Sequence, residues 1–134
     1  MGNKNRVFLG VLHSLILHNF KNIITEKELY ITKLKIKKIK NKHPEIIHYI
    51  LENKFQDIID STVGSCSYDE DGIYNLLSCI DGRYILFSIS TNNFYLEGGT
   101  LFYTSKRQLK KCMSSVRFFS SSEKEKFEIY MKEN

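Results

Sequence analysis

The residues best suited to chemistry are a cysteine and four histidines. Cys66 sits in "VGSCS" beside Gly64 and Ser65, and a thiol nucleophile there needs an imidazole brought to it by the fold. The available histidines are His13, His18, His43 and His48. They fall into two pairs, each five residues apart, and on a helix that spacing does not share a metal-binding face. No Cys-x-x-Cys, His-Glu-x-x-His, phosphate loop or Gly-x-Ser-x-Gly occurs. A lone cysteine is more often a small buried residue than a nucleophile. No cofactor or metal is expected, and the chain is not expected to be an enzyme.

Two charged stretches are better leads. "YDEDG" gathers Asp69, Glu70 and Asp71 before Gly72 but lacks the ligand ladder and distal glutamate of a calcium loop. It reads as a solvated turn able to face a basic partner. "KLKIKKIKNK" places six lysines, Lys33, Lys35, Lys37, Lys38, Lys40 and Lys42, in ten positions without an acid. Read as a strand, it sets Tyr30, Thr32, Leu34 and Ile36 on one face and Lys33, Lys35 and Lys37 on the other, about 6–7 Å apart. Lysines so arranged would attract successive phosphates of a nucleic-acid strand. On an exposed edge strand they would merely block unwanted pairing. Helical spacing would instead scatter the charges and leave no clean apolar stripe, so the extended reading is preferred.

The rest of the chain must position these residues. Val7, Phe8, Val11, Leu12, Leu15 and Ile16 recur at three- and four-residue steps and predict a buried helix over 6–22. Pro44 and Glu45 open a second helix whose stripe is Ile47, Ile50, Leu51, Phe55, Ile58 and Ile59. From Thr62 to Thr104 the period becomes two, with turn signals at "DEDG", "DG", "TN" and "GG". Asp81-Gly82 is the strongest hairpin signal. Gly98-Gly99 suggests another. Ser105 caps a helix from Lys106, and Ser122 with Glu125 forms a capping box for the last one. Short links imply antiparallel neighbours. The expected fold is α+β: N-terminal helices packed on one face of an antiparallel β-meander, with a short C-terminal helix or helices. The other sheet face is expected to be at least partly open.

Bulk properties agree with one globular domain over residues 1–134. The chain is 42% hydrophobic and 26% charged, with one proline. Its net charge of +5 comes mostly from lysine, 16 against 4 arginines. Arginine is the better reader of guanine and phosphate, so this balance favours general attraction over specific readout. Three cysteines, an odd number, suggest reduced thiols in a cytoplasmic protein. The apolar run near the N-terminus is interrupted by His13 and His18 and too short to span a bilayer, so no membrane partner is expected. Two functions fit. One is a small protein-binding module, of the inhibitor or immunity type, that docks on a specific protein and blocks it. The other is nucleic-acid binding by residues 33–42 with Arg107, Lys110 and Lys111.

Overall fold

The computed structural model describes residues 5–17, 28–68, 73–90, 96–112 and 115–133. It is a mixed α+β structure with an antiparallel sheet. Arg6–Val11 (β1) and Glu28–Thr32 (β2) form a two-stranded antiparallel sheet, with the short helix Ser14–Leu17 (α1) after β1. Over residues 6–17, the described part of the helix expected over 6–22, the chain is therefore a strand followed by a short helix. The reason is that a short run apolar on most sides suits either element, and here β2 supplies the hydrogen-bonding edge.

β2 passes directly into the helix Lys33–Lys42 (α2). The helix expected from Pro44 onward is divided: residues 44–47 are turns, followed by His48–Leu51 (α3) and Phe55–Asp60 (α4). Asn53 makes the break, at φ 57°. Asparagine tolerates this left-handed conformation, and the Lys54 N–H closes onto the Tyr49 carbonyl at 2.8 Å, as in a Schellman ending. Ile47, Ile50, Phe55, Ile58 and Ile59 are buried as expected, but Leu51 is exposed because the break turns it outward.

Thr62–Tyr68 (β3), Ile73–Ile80 (β4), Arg83–Ser90 (β5) and Leu96–Tyr103 (β6) follow, then the helix Lys106–Cys112 (α5), Arg117–Phe118 (β7) and the helix Ser121–Lys132 (α6). The larger sheet has the order β6-β5-β4-β3-β7, antiparallel throughout. Asp81 and Gly82 make the β4–β5 turn at φ 52° and 75°, both positive as a tight hairpin requires. Gly98-Gly99 does not turn the chain; both glycines lie inside β6. Ser105 caps α5: its Oγ accepts from the Gln108 N–H at 3.2 Å, and Gln108 Oε1 accepts from the Ser105 N–H at 2.8 Å. The last helix is capped two residues earlier than expected, by Ser120, whose Oγ accepts from the Glu123 N–H.

Strand alternation divides the core. Tyr74, Leu76, Ile85, Phe87, Ile89 and Leu101 face a cluster completed by Leu29 and Ile31 of β2, Ile39 of α2 and the isoleucines of α3 and α4. The Phe55 ring meets Phe87 edge-on at 5.7 Å. Leu77 and Tyr84 point the other way, into a second cluster with Val63, Cys66, Leu109 of α5 and Phe127 of α6. Helices thus pack on both sides, and the second face is not left open as expected. No helix among the described residues is long and apolar enough to cross a membrane.

Candidate functional site

The lysine segment is a helix, not a strand. Thr32 decides the switch. It ends β2 in an extended conformation, φ −82° and ψ 153°, and its Oγ1 accepts from the Lys35 N–H at 3.3 Å. Ile39 is fully buried and Ile36 packs against the same core, so two isoleucines three apart anchor the helix. α2 lies against the edge strand β6, and at its end the His43 ring stacks on Phe102 at 5.4 Å. The His43 N–H closes onto the Ile39 carbonyl.

This geometry corrects the expected flank of alternate lysines. Lys33, Lys35 and Lys37 do not share a face. At 3.6 residues per turn, Lys33, Lys37 and Lys40 follow one flank, with Lys38 and Lys42 on the other. Those five are exposed and Lys35 is half-buried. Among the described residues none of the five has an acidic partner. The arrangement carries an internal cost. Lys33–Lys37 and Lys38–Lys42 are like charges four apart, each pair unfavourable by about 0.2–0.5 kcal/mol. Lys33 also stands at the positive end of the helix dipole, with no acid in the first turn. Lys40 and Lys42 suit the opposite end.

Leu34 is the residue the sequence reading misplaced most. It was expected to face inward with Ile36, yet it is 64% exposed. On the helix it lies opposite Ile36 and Ile39, and Lys37 and Lys38 follow it at i+3 and i+4. An isolated leucine therefore stands at the crest of a lysine-coated cylinder.

Among the described residues the α5 cations do not join it. Asp69, Glu70 and Asp71 lie outside the described residues. Arg107, Lys110 and Lys111 are exposed on α5, but α5 packs through Leu109 onto the second cluster, across the sheet from α2. An open depression of about 310 Å³ beside Lys110 is lined by Glu128, Met131 and Lys132. Cys66 is buried in the second cluster, whereas His48 and His13 border residues of the first. Among the described residues neither His13 nor His48 is part of the cluster that holds Cys66, and His18 lies outside the described residues. Among the described residues no three His, Cys, Asp or Glu side chains gather to hold a metal.

One cluster was invisible in the sequence because it joins three distant segments. The His48 ring lies 4.3 Å from Tyr49, Tyr49 is close enough to Tyr103 for the two hydroxyls to influence each other, and the Arg83 guanidinium covers Tyr103 at 3.5 Å. Burial, then Tyr103, pushes the Tyr49 hydroxyl above its ordinary range. A second pair, on the other face, is Tyr84 and Cys79. Burial raises both, with smaller effects from each other.

Compared with family models, curated proteins and solved structures, the chain matches none of them.

Proposed function

We propose that this protein is a binding module that docks on a specific protein partner through α2 and acts by occupying the partner's surface, as inhibitors and immunity-type proteins do. The observation that carries the reading is Leu34, exposed at the crest of α2 and bracketed by cations that have no acidic partner among the described residues. Protein interfaces place an apolar anchor inside a polar rim, and the charges steer association while the anchor holds it. A phosphate backbone would use the lysines but gains little from a leucine. The α5 cations pack across the sheet from α2 and do not extend its basic surface, which favours the docking reading. A reducing, cytoplasmic location suits Cys66 and Cys79, which are not joined in a disulfide.

The test is cross-linking and affinity capture with the wild type and with Lys37→Glu/Lys38→Glu, followed by identification of the bound species. Docking through α2 predicts one protein held stoichiometrically by the wild type and lost by the variant. Retention on DNA or RNA at about 50 mM salt, without a protein partner, would establish nucleic-acid binding in its place.

A further inference from the structure

The β1–β2 hairpin leads directly into α2 and packs on the same core. Arg6 pairs in register with Thr32, the residue that caps α2, so β1 begins beside the start of the lysine helix. Leu29 and Ile31 point inward and are fully buried; Tyr30 and Thr32, between and after them, belong to the outward face. There the Arg6 guanidinium lies 4.1 Å from the centre of the Tyr30 ring, and Phe8 meets that ring edge-on at 5.7 Å. Phe8 is itself 47% exposed. Because Ile36 and Ile39 enter the same cluster as Leu29 and Ile31, the outward faces of helix and hairpin both point away from one core.

We infer that this combined surface, with Phe8 and Leu34 as apolar points and Arg6, Lys33, Lys37 and Lys38 as cations, receives an acidic protein segment that carries an apolar side chain. The inference rests on the docking reading above and names its partner class. Charge complementarity supplies the argument. Glu28 is the one acid in β1, β2 and α2, and its carboxylate already accepts the Tyr30 hydroxyl. Carboxylates from outside would relieve the lysine–lysine repulsion along α2, and an aliphatic or aromatic side chain between them would cover Leu34 and Phe8. An all-acidic polymer would leave both uncovered. So would a phosphodiester chain at Leu34.

Fluorescence anisotropy with defined probes tests this. The probes are a glutamate peptide with one central leucine, the same peptide with alanine there, an oligo-dT strand, and phosphatidylserine vesicles. The leucine peptide is expected to bind about tenfold tighter than the alanine peptide, the effect of covering most of one such side chain. Leu34→Ala should abolish that preference, and Lys37→Glu/Lys38→Glu should weaken both peptides. Circular dichroism of each variant checks folding; if Phe8→Ala disturbs the hairpin, the exposed Leu34→Ala carries the test alone. Equal binding of the two peptides, a preference that survives Leu34→Ala, or stronger binding to oligo-dT or vesicles would overturn the inference. Failure of every peptide, alongside capture of a protein through α2, would overturn the acidic class while leaving docking intact.

Discussion

Gln56 holds Val11 as a neighbouring strand would: its Oε1 accepts from the Val11 N–H at 2.8 Å, and its Nε2 donates to the Val11 carbonyl at 2.9 Å. The second Nε2 proton reaches Asp60 Oδ1 at 3.0 Å, which fixes the amide on α4. One side chain thus satisfies the end of β1 and ties the hairpin to the helix layer. The approach requires Gly10, since a Cβ there would lie 2.5 Å from Gln56 Oε1 and 2.8 Å from Ile59 Cδ1.

Gln56→Ala therefore loses two backbone contacts and should cost about 1–2 kcal/mol. Gly10→Ala should displace the amide and cost a similar amount. Because both act on one contact, the double variant should be less destabilised than the sum of the two, as measured by urea denaturation.

Gly64 presents a harder constraint. A Cβ there would meet the Arg117 carbonyl oxygen at 2.5 Å and Phe118 Cα at 3.0 Å, both backbone atoms of β7. Gly64→Ala should push β7 from the sheet at a cost of roughly 2 kcal/mol, typical of overpacking. Hydrogen exchange of the Phe119 N–H, bonded to the Val63 carbonyl at 2.8 Å, should accelerate in the variant before that of β4 or β5.

Stability should fall at alkaline pH. Burial raises Cys79 above its ordinary 9.0 and Tyr84 above its ordinary 10.0. With folded values above unfolded ones, the stabilisation is complete below about pH 9 and is lost as pH rises through that window. Tyr84→Phe keeps the ring against Phe127 and Tyr130 but removes one ionisation. In thermal melts its loss of stability above about pH 10 should be smaller than the wild type's.

Lys33→Glu should separate stability from binding. It places an acid at the positive end of α2 and replaces repulsion at Lys37 with attraction. The expected gain is about 0.5–1 kcal/mol in denaturation, with weaker capture of the partner. Unchanged capture would exclude Lys33 from the contact surface.

Local chemistry made several elements legible in advance. Asp81-Gly82 must turn because both positions need positive φ, and the flanking alternation fixes β4 and β5. Ser105 before Lys106 marks a helix start. The lysine helix was not legible in the same way. Its own residues give it little stripe and much repulsion, and the tyrosine and isoleucine before Thr32 favour extended chain. What makes it a helix is a threonine cap and the cluster into which Ile36 and Ile39 fit.

The sequence alone determined that this is an α+β chain with an antiparallel sheet and that residues 33–42 carry concentrated positive charge. Those properties follow from composition, period and turn chemistry, which act over a few residues. Tertiary structure decided that β1 is a strand, that α2 and α5 lie across the sheet from one another, and that Leu34 points outward. Such outcomes depend on which distant side chains fill the core, since a short apolar or mixed segment takes whatever form its neighbours can bury.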